Sequence, residues 1–338
     1  MLPEWTGKPS LSSVESPVGL STLRAGQPPR NARHMGEEAV VTTGMTVVGV
    51  NGSAASERAL VWAADRVAER GGRLGILCVV DLKFGAALYG SQFDPVANAS
   101  AILEDAERTT RLRHPYLDIT TSWLDGRPSR ELIRRSGTAG LIVIGTDKRP
   151  TTTGPRIGTL PLQLAAKADC PVAVIPELGT GERHGVVAGV DRSAESASAL
   201  AMALQEAGRL DAEVIALHAW DVPTVFQRGL DADLRPDPRF EEAESRVVPE
   251  TIRELGFHEN GRIVPELVRE NPAVALIERA RTAKLLVMGT RGRGRLASSV
   301  LGSVSHDVLV NIASPVIIVG EPHGFVVPGM PPGTEEDW

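Results

Sequence analysis

Two cysteines, a 4% share of aromatic residues and no surplus of positive charge set the first limits on this 338-residue chain. Two thiols cannot make a disulfide framework, and Cys78 and Cys170 sit in or beside apolar runs with no metal-ligand spacing. They read as buried structural thiols of a protein in a reduced, cytoplasmic setting. A formal net charge of −6 argues against a general binder of nucleic acid or of a membrane surface, which would carry an excess of Lys and Arg. No run of about 18 apolar residues occurs, so no segment is long enough to span a bilayer. The seven histidines form no metal-spaced cluster, and no metal site is expected. No P-loop of the GxxxxGK type is present, and no Ser-His-Asp, Cys-His or paired-carboxylate arrangement can be argued from spacing, so no catalytic residue is assigned. The short match Gly292-x-Gly294-x-x-Ala297 follows a fourth strand and has no acidic partner about 20 residues on, which leaves a dinucleotide oxidoreductase without support.

What is present is length enough for two domains, with 42% hydrophobic and 23% charged residues. Residues 1–44 are rich in Pro, Gly, Ser and Arg without sustained periodicity, and read as a disordered N-terminal extension. Met35 and Met45 are candidates for alternative starts. Residues 321–338 read as a C-terminal tail. Between these the chain repeats itself. The stretch TVVGVNGSAASERALVWAADRVAERGGRLGILCVVD at 46–81 aligns with VVAGVDRSAESASALAMALQEAGRLDAEVIALHAWD at 186–221, an offset of 140. Further on, LIVIGT at 141–146 aligns with LLVMGT at 285–290, and CPVAVIP with SPVIIVG, at an offset of 144. Such a repeat predicts two copies of one domain, at 45–178 and 185–320.

Within each copy, short β-branched runs alternate with longer amphipathic stretches. In the second copy the pattern predicts strands at 186–190, 213–218, 262–267, 285–289 and 315–319, and helices at 194–209, 239–256, 272–283 and 302–312. This alternation implies an α/β fold of two tandem, open, parallel five-stranded sheets with helices on both faces. In such sheets ligands bind beyond the carboxyl ends of the strands, where the strand order reverses.

One segment lies at such an end: LLVMGTRGRGRLASSVLGSVS, at 285–305. Glycine there lets a ligand approach the main chain closely, and main-chain N–H groups in a glycine-rich turn, followed by a helix N-terminus, form an anion site. Gly289, Gly292 and Gly294 are placed to wrap a triphosphate. Ser303 and Ser305 add hydroxyl donors, and Arg291, Arg293 and Arg295 add charge. The pattern Gly289-x2-Gly292-x9-Gly302-Ser303, with VAGVDRS after the first strand and SPVIIV at the end, resembles the universal stress protein family. The resemblance covers both copies, so the chain looks like a tandem member of that family, of the Rossmann-like universal stress protein type.

The resemblance implies an adenine nucleotide, ATP with or without Mg2+, as the cofactor. It implies that these glycines and the Gly302-Ser303 pair hold phosphates and ribose, that Asp191 lines the pocket, and that Ala219 lies against the adenine through its backbone. The second-copy set is Val190, Asp191, Ser193, Ala219, Gly289, Arg291, Gly292, Arg293, Gly294, Gly302, Ser303, Val304 and Ser305. Each has a plainer reading. Asp191 and Ser303 serve equally well as helix caps, the arginines as solvated loop charges, His218 as a half-buried strand residue, and Trp220 as core or rim. The first copy departs from the pattern. It keeps Gly145, Gly158 and Thr159, but Lys148 replaces the second glycine, Pro150 and Pro155 stiffen the loop, and Asn51 stands for Asp191. Its counterparts Asn51, Val79, Gly145, Gly158 and Thr159 therefore form a degenerate site. Thr151, Thr152 and Thr153 bring hydroxyls but no carboxylate. Glu270 replaces a glycine common in the family, and an outward orientation is expected.

Three functional classes follow: an ATP-binding stress or signalling protein that acts through nucleotide-dependent conformation and partner binding, a slow ATP hydrolase relying on Asp191 or Glu270, and a nucleotide-independent scaffold. The resemblance also implies pairing through the last strands, as an intramolecular pseudo-dimer or a homodimer.

Overall fold

The protein, a computed structural model, is described here over residues 44–89, 94–147, 158–221, 237–256, 262–292 and 301–320, with the backbone alone at 86–89. The first half runs β1 (Thr46–Val50), α1 (Ala54–Arg70), β2 (Arg73–Val80), α2 (Leu82–Tyr89), α3 (Pro95–Arg113), β3 (Asp118–Asp125), α4 (Pro128–Ser136), β4 (Leu141–Gly145), α5 (Thr159–Lys167) and β5 (Val172–Ile175). The second runs β6 (Val186–Gly189), α6 (Ala194–Leu210), β7 (Val214–Trp220), α7 (Pro238–Ser245), α8 (Val247–Glu254), β8 (Ile263–Arg269), α9 (Pro272–Ala280), β9 (Leu285–Gly289), α10 (Ser303–Val310) and β10 (Val316–Val319). The expected N-terminal extension up to residue 43, the tail from 321, and Lys148, Pro150, Thr151, Thr152, Thr153, Pro155, Arg293, Gly294, Arg295 and Ala297 lie outside the described residues.

The strands order as β3-β2-β1-β4-β5-β10-β9-β6-β7-β8. Each half is thus an open parallel sheet whose order reverses between its first and fourth strands. The halves join where β5 runs antiparallel to β10, with Val174 opposite Val316 and Val172 opposite Ile318. Both edges of β5 and of β10 are occupied within the chain, by β4 and β9 on their outer sides. The repeat offset persists in the pairing: Thr46 lies opposite Leu74 in the first half and Val186 opposite Val214 in the second.

Alternation along the strands feeds two apolar layers. Val48, Ile76, Val143, Ala173, Ala188, Ala216, Val287 and Ile317 face the helices α1, α3, α6 and α8. Val47, Leu77, Ile142, Val172, Val187, Leu217, Leu286 and Ile318 face α4, α5, α9 and α10. Because helices cover both faces, strands such as VAVI and VIIV are buried at every position, as doubly covered parallel strands require. Each buried Leu, Ile or Val contributes about 1.5–3 kcal/mol. The thiols of Cys78 and Cys170 lie in these layers, and burial pushes them up to about 11 and about 12.

The helix expected at 239–256 is broken into α7 and α8. Arg246 forms a tight turn, its N–H bonding to Ala243 and Glu244 carbonyls. Pro249, the third residue of α8, has no N–H to offer, and its ring would clash with the carbonyl of Ser245 in a continuous helix.

Candidate functional site

At the carboxyl end of β6 the chain turns sharply into α6. Ser193 caps that helix, its hydroxyl accepting from the Ser196 N–H at 3.1 Å. Asp191 supports the cap: its Oδ1 accepts from the Ser193 N–H at 3.1 Å and from the Ser193 hydroxyl at 2.6 Å. The Asp191 N–H in turn donates to Ser196 Oγ at 3.2 Å. The capping role thus belongs to Ser193 and not to Asp191. Between them Arg192 takes φ 72°, a left-handed conformation that costs a non-glycine residue about 1–2 kcal/mol. Its side chain reaches α7, donating to the Ala243 carbonyl and lying 3.6 Å from Glu244 Oε1.

The loop after β9 approaches this turn. A Cβ on Gly292 would run into Asp191 Oδ2, so the two loops meet closely there and a larger residue forces the carboxylate or the loop to shift. Gly302, which precedes α10, is similarly confined, with the Thr290 carbonyl 3.2 Å and Arg291 Cα 3.3 Å from where its Cβ would be. Its N–H donates to the Thr290 carbonyl at 2.9 Å. The Thr290 hydroxyl is buried without a hydrogen-bond partner among the described residues. These contacts lie at the reversal of strand order between β6 and β9.

Other expected site residues have internal partners. A Cβ on Gly289 would sit 2.9 Å from the Glu195 Cβ, so this glycine lets the first turn of α6 pack on the end of β9. The Ser305 hydroxyl is buried and donates to the Gly289 carbonyl at 2.8 Å. Arg291 turns toward Glu195, at 3.8 Å, with its side chain 17% exposed. Ser303 is exposed on the first turn of α10, Val304 is half-buried, Ala219 is half-buried opposite Val268, and Val190 is buried. Glu270 is exposed, just before the Asn271 cap of α9.

The first half repeats the turn with Asn51. Its Oδ1 accepts from the Ser53 N–H at 3.1 Å and hydroxyl at 2.7 Å, and Gly52 holds φ 75° where the second half has Arg192. A Cβ on Gly145 would run into the Ala55 carbonyl, so this glycine serves packing against α1. Gly158 precedes Thr159, and among the described residues nothing lies within 4 Å of where its Cβ would be, unlike Gly302. Val79 is half-buried opposite Leu124.

Two clusters beside the second-half turn were not read from the sequence. His218 is not half-buried but 2% exposed. Its Nδ1 lies 2.7 Å from the Val190 carbonyl and its Nε2 2.7 Å from Oε2 of the buried Glu244. A carbonyl only accepts, so Nδ1 carries a hydrogen, and Nε2 shares one proton with Glu244. The other cluster is Trp220, buried edge-to-face against Phe240 at 5.4 Å, with the Arg269 guanidinium 5.3 Å from its ring centre. No spacing rule links positions 218 and 244, so composition carried no signal for the first pair. The aromatic at 220 was legible, but its partner was not.

With this geometry in place, the comparison with known proteins is direct. The sequence matches the universal stress protein family over residues 45–176 and again over 182–320. The chain belongs to the universal stress protein family. As a tandem member it is similar to universal stress protein Rv2005c of Mycobacterium tuberculosis, 31% identical over 292 residues that cover 80% of this chain and 95% of the relative. Universal stress protein Rv1996 of the same organism is 31% identical over 306 residues, covering 83% and 96%. Among solved structures, a universal stress protein from Archaeoglobus fulgidus shares the fold with a TM-score of 0.58 and 19% identity, covering 82% of this chain and 98% of its own. A universal stress protein solved in complex with cAMP is similar over 40% of this chain and 98% of its own, at 22% identity and a TM-score of 0.31.

Proposed function

We propose that the second repeat binds an adenine nucleotide, ATP with or without Mg2+, in the crevice between the loops after β6 and β9. Binding there shifts the chain between conformations and changes which proteins it engages in stress response or signalling. A ligand shifts such an equilibrium by as much as its affinities for the two states differ.

The observation that carries this reading is the closeness of Gly292 to the Asp191 carboxylate at the reversal of strand order. Bare backbone at 292 and the first turn of α10 offer N–H groups to phosphate oxygens, while the Gly302 N–H stays with the Thr290 carbonyl. Arg291, drawn toward Glu195, is secondary in this scheme. Among the described residues no three His, Cys, Asp or Glu side chains cluster as a metal site, so a cation would enter with the phosphates. The first repeat, with Asn51 in place of Asp191 and Lys148 in place of the second glycine, is the weaker site.

The test is direct. Nucleotide released from the purified protein is identified by mass spectrometry, and ATP is titrated into nucleotide-free protein. No released nucleotide and no heat or signal change on titration would leave a scaffold that works through its surfaces alone. Product formed on long incubation with ATP and magnesium, and lost in Gly292→Glu, would instead make the chain a slow hydrolase.

A further inference from the structure

Helices α1 and α6 occupy equivalent places in the two repeats, and they meet through equivalent residues. Arg66 Nε donates to Glu206 Oε1 at 3.0 Å, and its Nη2 lies 2.8 Å from the same oxygen. Arg209 Nη1 pairs with Glu69 Oε2. In both pairs the partners are 140 positions apart, which is the repeat offset. Each residue is therefore bonded to its own counterpart, as happens beside a two-fold axis.

On a true two-fold, counterparts are identical, and Arg would face Arg or Glu would face Glu. Here the sign is inverted at both positions. The setting makes the sign matter, because Glu206 is fully buried and the side chains of Arg66 and Arg209 are 9% and 7% exposed. Arg70 adds a contact to Glu206 at 2.7 Å and one to Gln205 at 2.9 Å, and Arg209 closes on Glu206 at 3.0 Å. Arg66 also donates to Thr46 Oγ1 at 3.3 Å, and Arg209 lies over the Trp62 ring. Burial opposes ionisation of Glu206, but Arg66, Arg209 and Arg70 outweigh it and hold its carboxyl below the ordinary range.

We infer that the α1–α6 face is a recognition surface for the unlike repeat: it fits a partner with the inverted charge pattern, which the other half of the same chain supplies, and refuses a second copy of its own repeat. A pattern that is attractive in one pairing and repulsive in the competing one is how interfaces discriminate between partners. Two second-type repeats brought together in this way would set Glu206 against Glu206 and Arg209 against Arg209, and two first-type repeats Arg66 against Arg66 and Glu69 against Glu69. The inference stands apart from nucleotide binding.

The experiment uses four full-length variants, read by thermal unfolding. Arg66→Glu sets a carboxylate against Glu206, Glu206→Arg sets a fourth guanidinium among Arg66, Arg70 and Arg209, and Arg66→Met removes attraction without adding repulsion. The fourfold exchange Arg66→Glu, Glu69→Arg, Glu206→Arg and Arg209→Glu swaps the charges of the two repeats at these two positions and leaves Arg70 in place. Each single reversal is expected to lower the midpoint by about 10 °C, Arg66→Met by less, and the fourfold exchange to recover more than half of a single reversal's loss. Where a single reversal does not accumulate as folded protein, its soluble yield beside that of the fourfold exchange makes the same comparison. A fourfold exchange no more stable than the single reversals, or an Arg66→Glu variant that melts no lower than Arg66→Met, overturns the inference.

Discussion

Replacing Gly292 by alanine adds one methyl group at the point where the two loops of the second repeat meet, and that methyl would run into Asp191 Oδ2. Asp191 has little freedom to withdraw. Its Oδ1 accepts two hydrogen bonds from Ser193, at 3.1 and 2.6 Å, and its N–H donates to Ser196 Oγ at 3.2 Å. The loop at 291–292 must give way instead. Forcing one methyl into a filled place costs about 1–3 kcal/mol, and at about 1.4 kcal/mol per tenfold this is roughly 5- to 150-fold in affinity for a ligand held by that loop. We expect ATP to bind Gly292→Ala about 30-fold more weakly than the native chain, measured by calorimetric titration, while the circular dichroism spectrum is unchanged. Gly158→Ala is the control, since among the described residues nothing lies within 4 Å of the added atom and the backbone there is at φ −62°. An affinity for Gly292→Ala equal to native, or an equal loss in Gly158→Ala, would refute the assignment of the nucleotide to the crevice beside Asp191.

Three further outcomes follow from the same geometry. Ser193→Ala removes the α6 cap and the hydroxyl, one of the two donors that hold Asp191, and should cost about 1 kcal/mol in urea unfolding, with a loss of ATP affinity that Ser53→Ala in the first repeat does not share. Glu206 and Asp65 both have carboxyls held below the ordinary range, Asp65 by Arg113 and His114 against the opposing effect of burial. Their stabilisation is therefore complete above the unfolded carboxylate value of about 4 and is lost as pH falls through their lower folded values, so melting temperatures should drop steeply on acidification below about pH 4 and change little from these two groups between pH 5 and 8. Cys78 and Cys170, both buried with thiols pushed up to about 11 and about 12, should resist a thiol reagent at pH 8 until denaturant is added. Rapid labelling of the native chain would contradict their burial.

Much of this architecture was legible because the sequence carries it twice. The 140-residue offset between TVVGV and VVAGV reappears as identical strand registers in both halves, and apolar runs such as VIIV announce strands covered on both faces. Helix boundaries erred where a tertiary or steric detail decided them, as at Arg246, where Pro249 ends the continuity that the apolar periodicity suggested. The capping reading of Asp191 is set aside by hydrogen bonds: Ser193 directly precedes Ala194 and takes the cap, and Asp191 braces it. Glycine spacing pointed to bare backbone, yet the purpose of each glycine depends on its neighbour in space. Gly289 and Gly145 make room for a helix, whereas Gly292 makes room for a carboxylate. The contacts of His218 with Glu244 and of Arg66 with Glu206 join residues far apart in sequence, and no local pattern encodes them.

Because β5 and β10 run in opposite directions along their seam, the carboxyl ends of the two sets of parallel strands emerge at opposite margins of the sheet. Whatever docks at the second repeat's margin has its back to the first repeat's, with the width of the strands between them. Among the described residues, a signal from one margin to the other has the β5–β10 seam and the charged contact of α1 with α6 as its route.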